Sequence, residues 1–325
     1  MTSEQDSAQE QQHWGDHVSV LLNEVIDYLD PKPGGYYLDG TLGLAGHSEA
    51  LLKKADGKAH LLGIDRDLAT LERARVRLAP FGDNVVTAHA RFSEFEMVMR
   101  DVDWDTLDGA LIDIGVSSMQ IDQPERGFSF KVEGPLDMRM DPSGGMAPAS
   151  TIVNKASYEK LKFIIGRYGE DPMCGRIAKA IIEARSISPI ETTTQLASIV
   201  EKAYPAKWRA KSRNHPATRT FQALRMVVNS ELEELEAFLK RILDHLKPGG
   251  RLAVITFHSL EDRMVKRMFK EESTGCICPK QIPVCICNHQ PNIKLITRKP
   301  VTASQEELKV NSRSSSAKLR VVEKL

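Results

Sequence analysis

The chain has 325 residues, 41% of them apolar and 27% charged. That composition can bury a sizeable core in one large domain or two, and it excludes a collagen-like, disulfide-scaffold or wholly disordered chain. No apolar run approaches the roughly 18 residues of a membrane-spanning helix, and the polar, acidic start MTSEQDSAQEQQHWGDH lacks the pattern of a signal peptide, so a cytoplasmic protein is expected.

The formal net charge is zero, but the charges are segregated. Residues 1–30 carry seven acids and no Lys or Arg. Residues 205–219 carry five cations (Lys207, Arg209, Lys211, Arg213, Arg219) and no acids, and residues 290–325 carry eight cations against three acids. Two basic stretches on a neutral chain can hold a polyanion locally; the bland alternative is a solvated helix face and a basic tail.

In chain order, residues 1–15 read as a disordered tail. Apolar residues at Val18, Leu21, Leu22, Val25, Ile26 and Leu29 predict an amphipathic helix over 17–29, ended by Pro31-Lys-Pro-Gly-Gly35. Tyr36 to Leu38 reads as a short buried strand, followed by the glycine-rich Asp39-Gly-Thr-Leu-Gly-Leu-Ala-Gly-His47 and a helix to about Lys54. His60 to Ile64 is a second strand, ending in Asp65-Arg-Asp67; the next helix holds Leu71, Ala74 and Leu78. A third strand spans Asn84 to Ala90, and a fourth lies in Leu107 to Asp113. This alternation implies parallel strands joined by crossover helices, a doubly wound α/β sheet.

The alternation then stops. Residues 124–150 are rich in Gly, Pro and Met, and three helical patterns follow between Ser157 and Ala203, one capped by the Thr192–Thr194 run. A long helical stretch follows over 217–246; Ser230 and Glu233 have capping-box spacing, which allows two helices to meet there. Lys247-Pro-Gly-Gly250 stops it, Leu252 to Phe257 is a strongly apolar strand, and Ile293–Thr297 and Lys318–Val322 are the last strand candidates. The expected organisation is a discontinuous α/β core over 16–123 and 214–325, with a helical substrate-recognition domain inserted at 124–213.

Cys174 stands alone, whereas Cys276, Cys278, Cys285 and Cys287 form C-x-C-P-x5-C-x-C. A cytoplasmic protein does not normally keep such thiols as disulfides, so they are a candidate structural zinc site. The spacing is tighter than the common C-x2-C knuckle, and four reduced thiols on an exposed loop is the competing reading.

The first strand-to-helix turn has glycines at 40, 43 and 46. Glycines there let a ligand approach the backbone. Asp65, ending the second strand, is placed to take both hydroxyls of an adenosine ribose. A dinucleotide would suit that carboxylate equally, but Asp39 precedes the glycines, where it would repel a pyrophosphate and favour a cationic sulfonium and its amino group. A nicotinamide dehydrogenase is thereby disfavoured.

Ten segments in order then make the pattern specific: Asp39–His47, Gly63-Ile-Asp-Arg-Asp67, Arg91-Phe-Ser93, Ile112-Asp-Ile-Gly-Val-Ser-Ser118, Glu125–Phe130, Gly134–Pro142, His215–Gln222, Val228–Glu233, Phe257-His-Ser-Leu-Glu-Asp-Arg263 and Asn311–Ser314. From about residue 13 the chain closely resembles the RsmH (MraW) family. The resemblance implies a class I (Rossmann-like) methyltransferase that uses S-adenosylmethionine to methylate the exocyclic amine, N4, of a cytosine in bacterial small-subunit ribosomal RNA. It implies ribosomal RNA, or a partly assembled small subunit, as partner. The family's cofactor residues correspond to Ala45, Gly46, His47, Asp65, Phe92, Asp113 and Gln120, beside Asp39. Ala45 stands where the family often has glycine. Phe92 would lie by the adenine, and His47 is either a ligand or a helix cap.

Cytosine N4 is a poor nucleophile, because its lone pair is delocalised into the ring. A carboxylate accepting its N–H bonds would raise its reactivity and later take the proton. Amino-methyltransferases acting on DNA usually place Asp/Asn-Pro-Pro-Tyr/Phe after the fourth strand; here Asp113-Ile-Gly-Val116 stands there instead. Asp113 is thus the candidate catalytic acceptor, a cofactor ligand, or both. Lys207, Trp208, Arg209, Lys211, Arg213, His215, Arg219, His258 and Arg313 are the candidate RNA contacts, through phosphates and stacked bases. His258 and its neighbours can equally cap a helix. Rival readings are a methyltransferase acting on DNA or protein and a non-catalytic RNA-binding assembly factor.

Overall fold

The computed structural model describes residues 19–209 and 215–325, apart from 277, 279, 280, 282, 283, 285 and 288. The expected tail, Lys211, Arg213 and Cys285 lie outside the described residues. The chain divides into two compact units: Met1–Gly115 with Glu234–Leu325, and Val116–Glu233.

The first unit is built on seven strands: β1 (Tyr36–Asp39), β2 (His60–Asp65), β3 (Val85–His89), β4 (Leu107–Asp113), β5 (Leu246–Thr256), β6 (Ile293–Leu295) and β7 (Lys318–Lys324). Their order in the sheet is β3-β2-β1-β4-β5-β7-β6. The five strands from β3 to β5 pair in parallel, and β7 runs antiparallel to both β5 and β6. From β1 the chain winds outward to β2 and β3, then returns to place β4 on the other side of β1. The winding direction therefore reverses between β1 and β4, and the crevice beyond the carboxyl ends there is where open α/β sheets bind ligands.

Alternating side chains load both faces of this sheet. Leu38, Ala110, Ile112, Leu252 and Val254 face a core completed by Phe95, Val98, Phe238, Ile242, Val265 and Phe269. Tyr37, Leu111, Ala253, Ile255 and Val321 face the opposite core, with Val25, Leu29, Leu51, Leu52, Leu71 and Leu78. Helices cover both sides of the strands, which explains why β1, β2 and β4 are apolar runs rather than alternating sequences. The expected doubly wound α/β sheet is the observed one.

The second unit is helical. Ala149–Lys155, Tyr158–Arg167, Cys174–Ile187, Thr193–Ala203 and Ala217–Val228 enclose Val153, Leu161, Ile164, Ile177, Ile181, Leu196, Val200, Phe221 and Leu224. Thr192 caps its helix in a capping box with Gln195. The unit spans Val116–Glu233, wider than the expected insert at 124–213. Ala217, Phe221, Leu224 and Val228 belong to the helical core, so the apolar face of that helix sets the wider limit. Ser230, at φ 50°, separates Ala217–Val228 from Glu231–Ile242, so the long stretch is two helices.

Candidate functional site at the carboxyl ends of the central strands

Three carboxylates end three neighbouring strands: Asp39 on β1, Asp65 on β2 and Asp113 on β4. The glycine-rich turn threads between them. Gly40 N–H donates to Leu111 O (2.9 Å) and Leu42 N–H to Ile64 O (2.9 Å), so the turn is tied to the strands on either side. Asp65 Oδ2 accepts Gly43 N–H at 2.7 Å, and its Oδ1 accepts Asp67 N–H at 2.8 Å. Asp39 accepts Thr41 N–H (3.1 Å) and the Ser48 hydroxyl (2.6 Å). The Thr41 hydroxyl in turn accepts Asp113 N–H at 2.6 Å.

Close packing explains the glycines. A Cβ on Gly40 would lie 2.9 Å from Ile112 Cγ2 and 3.0 Å from Phe92 Cβ. Gly43 has φ +53°, a conformation that favours glycine. Ala45 departs from that logic: its φ of 60° and ψ of 26° are left-handed, which costs alanine about 1–2 kcal/mol. Its methyl is fully buried, which offsets part of that cost. Arg77 braces the loop from the neighbouring helix, donating to Leu44 O (3.0 Å) and pairing with Glu49 (2.6 Å).

The electrostatics are unbalanced. Burial pushes the Asp39 and Asp65 carboxyls up to about 6, against the hydrogen bonds each accepts. Asp113 is pushed higher, to about 8, by burial first and then by the charges of Asp39 and Glu261. Its Oδ1 is buried with no hydrogen-bond partner. The Arg66 guanidinium partly offsets the Asp65 charge, whereas Asp113 is opposed only by burial and like charges, so a ligand bringing positive charge or N–H donors would satisfy it.

The remaining expected cofactor residues divide. Gly46 opens the helix Gly46–Lys54. His47 turns Nε2 toward Val20 O at 2.9 Å, tying the preceding segment to that helix. Phe92 is buried, edge-on to Phe238 at 5.6 Å, with its Cβ against Gly40. Gln120 belongs to the helical unit, where its Oε1 accepts Ser117 N–H at 3.1 Å in a capping box.

Among the expected RNA contacts, Lys207, Trp208 and Arg209 form the short helix Ala206–Arg209 and are exposed. His215 packs its ring on Phe130 at 4.8 Å, and Arg219 donates to Glu170 O at 3.0 Å. Arg313 is exposed in the first unit. His258 caps Ser259–Glu272: Nδ1 accepts Glu261 N–H, and Nε2 lies 2.8 Å from Glu261 Oε1. Among the expected metal ligands, the Sγ atoms of Cys276, Cys278 and Cys287 lie within 4.8 Å of one another.

Sequence reasoning passed over Thr41, Ser48, Arg77 and Glu261. Ser48 sits in the first turn of the helix after the glycines, and Glu261 three residues after its cap, so spacing carried some signal for both. Nothing local marks Arg77, whose partners lie 28 and 33 residues away.

The Ribosomal RNA small subunit methyltransferase H of Oleidesulfovibrio alaskensis is 62% identical over 325 residues, covering all of both chains. The protein of the same name from Nitratidesulfovibrio vulgaris is 61% identical over 309 residues, 95% of this chain and 86% of that one. An rRNA methylase from Streptococcus thermophilus aligns in structure with a TM-score of 0.42 and 10% identity, over 95% of this chain and 99% of that one. The family model for the MraW methylase family matches residues 15–325, through every strand of the sheet and all of the helical unit, and the chain belongs to that family.

Proposed function

We propose that this chain transfers a methyl group from S-adenosylmethionine to N4 of a cytidine in small-subunit ribosomal RNA. The observation that carries the reading is the buried, unpartnered Asp113 Oδ1 at the point where the sheet reverses its winding, with Asp39 and Asp65 on the adjacent strands. A cationic ligand with amine and hydroxyl groups fits this donor set: three carboxylates at the ends of neighbouring strands, one of which keeps a buried oxygen without a partner. The relatives' name, Ribosomal RNA small subunit methyltransferase H, supports the same substrate class.

S-adenosylmethionine brings a methyl group on a positively charged sulfur, already activated for transfer. The protein's work is then positioning and proton handling. Asp65 would accept the ribose hydroxyls on the lone pairs its two backbone bonds leave over. Asp39, fixed by Ser48 and Thr41, would supply negative potential toward the cationic end. Asp113, held by Thr41 through its own N–H, would accept an N–H of the cytosine amine on Oδ1. Its pKa of about 8 in the free chain would fall beside the positive charge of the bound cofactor, leaving a carboxylate that can take a proton as the amine is alkylated. Ala45, Gly46 and His47 would shape the turn, with Phe92 as an apolar neighbour of the cofactor.

Lys207, Trp208, Arg209, Lys211, Arg213, His215, Arg219, His258 and Arg313 would contact the RNA. A ribosomal substrate implies the cytoplasm; among the described residues no helix is long and apolar enough to cross a membrane. The test is to map methylated cytidines in ribosomal RNA from a strain lacking the gene, with and without its restoration. One small-subunit cytidine should lose and regain its N4 methyl group. An unchanged map overturns the reading, and RNA binding without methyl transfer would make the chain an assembly factor.

A further inference from the structure

Between the helix Ser259–Glu272 and β6, residues 273–291 form an excursion whose base is pinned. Asn292 N–H donates to Glu272 O at 2.8 Å, and Asn292 Nδ2 to Glu272 Oε2 at 2.7 Å. Beyond that base, among the described residues, the apolar side chains of Val284 and Ile286 are each 70% exposed. Yet three thiols converge here, Cys276, Cys278 and Cys287, with all three Sγ atoms within 4.8 Å.

We propose that these three thiols bind a zinc ion that closes this excursion. A tetrahedral zinc thiolate has Zn–S bonds of about 2.3 Å, which places neighbouring sulfurs about 3.8 Å apart. Cys276 and Cys287 Sγ are 3.9 Å apart. A disulfide would need about 2.05 Å. A second feature belongs to metal thiolates: Ile286 N–H points at Cys278 Sγ, 3.4 Å away, a bond that stabilises charge on sulfur. Further along, His289 Nδ1 is buried without a hydrogen-bond partner, so a nitrogen donor follows the last thiol by two residues.

Chemistry and position define the role. Each Zn–S bond formed releases one thiol proton to solvent, and zinc undergoes no redox change. The cluster lies on the stretch between Glu272 and Ile293, and none of its ligands is among the carboxylates at the strand ends. The metal would therefore tie Cys276, Cys278 and Cys287 together and leave methyl transfer to other residues.

The full-length chain, purified under reducing conditions without chelator, provides the test. Elemental analysis should find about one zinc per chain. Replacing zinc by cobalt should produce thiolate-to-cobalt charge-transfer absorption. Cys278→Ser and Cys287→Ser should each lower zinc occupancy at least several-fold and weaken that absorption. In the unsubstituted chain, the three thiols should resist a thiol reagent until a zinc chelator is added. A metal-free chain whose thiols react as fast with as without chelator overturns the proposal. So does a metal-free chain with Cys276 and Cys287 recovered as a disulfide. These readouts need no assay of methyl transfer, so they are independent of the proposed reaction.

Discussion

Asp113 faces Asp39 across the reversal point of the sheet, and one residue serves both: Thr41 donates its backbone N–H to the Asp39 carboxylate and accepts the Asp113 N–H on its side-chain hydroxyl. The two acids are thus held close by the same turn residue, although their like charges oppose it. Such an arrangement costs stability in the free chain, and the cationic cofactor of the proposed function would relieve it.

Asp113→Asn should therefore stabilise the free chain while lowering activity. The amide keeps the shape but removes a charge that burial, Asp39 and Glu261 all oppose. The gain should be larger at pH 8.5 than at pH 5, because the wild-type carboxyl must stay protonated, or carry an uncompensated charge, as pH rises toward its folded pKa. Thermal melts at the two pH values, beside turnover, check this. If Asp113 polarises the amine, turnover should fall with little change in cofactor affinity. An equal loss in both would make it a cofactor ligand only.

The pH dependence has a definite sign. Folded values of about 6, 6 and 8 for Asp39, Asp65 and Asp113 lie above their unfolded values near 4. The folded chain thus holds more protons than the unfolded one between pH 4 and 8. The stability these groups contribute is fully present below pH 4 and is lost as pH rises through those folded values. A cationic ligand prefers the ionised form, so S-adenosylmethionine should bind more tightly as pH rises from about 6 to 8 and should release protons at pH 6.5. Calorimetry in buffers of different ionisation enthalpy measures that release. Flat affinity and no proton release would mean that the carboxylates do not face the positive charge.

What the sequence disclosed follows from how local each signal is. Asp39, Asp65 and Asp113 could be placed at strand ends because short apolar runs stop at acids. The helix caps at Thr192 and His258 follow from spacing within one turn. The Lys247-Pro-Gly-Gly250 stop was only partly informative. Strand β5 already begins at Leu246, and the ladder jumps from Leu107↔Leu246 to Gly109↔Arg251, so the turn is an insertion in a strand rather than a boundary before one. The polar helix Gln305–Val310 was passed over because no apolar face marks it, although Ser304 caps it through Glu307 N–H. The left-handed angle at Ala45 could not be read at all, since alanine signals no positive φ.

Gly40→Ala tests the close approach between turn and sheet. The added methyl would meet Ile112 Cγ2 at 2.9 Å and Phe92 Cβ at 3.0 Å, and neither is the loose end of a flexible side chain. The expected cost is about 1–3 kcal/mol of stability, the usual penalty for overpacking a filled core. Because the turn carries the Asp39, Thr41 and Asp65 contacts, cofactor affinity should fall as well. Denaturant titration and calorimetry on one preparation separate the effects. A variant as stable as wild type would show that the turn has room to yield.

The basic segment makes the sharpest test of the nucleic-acid partner. Lys207 and Arg209 are exposed on one short helix, and among the described residues neither is held in an ion pair. Arg219 is instead engaged with the Glu170 carbonyl, so its loss should affect local structure as well as binding. Replacing Lys207 and Arg209 by Gln should weaken ribosomal RNA binding at low salt. It should also reduce the slope of log affinity against log salt by about 0.7 per lost phosphate contact on a single strand, or about 0.9 on duplex DNA. Trp208→Ala should behave differently. Its ring is 49% exposed and uncharged, so its removal should cost about 1–3 kcal/mol if a base stacks on it, with the salt slope unchanged. Filter binding across a salt series distinguishes the two classes of loss. Unchanged slopes in the double variant would return this segment to an ordinary solvated surface, and a changed slope in Trp208→Ala would mean that the ring holds the neighbouring cations in place rather than a base.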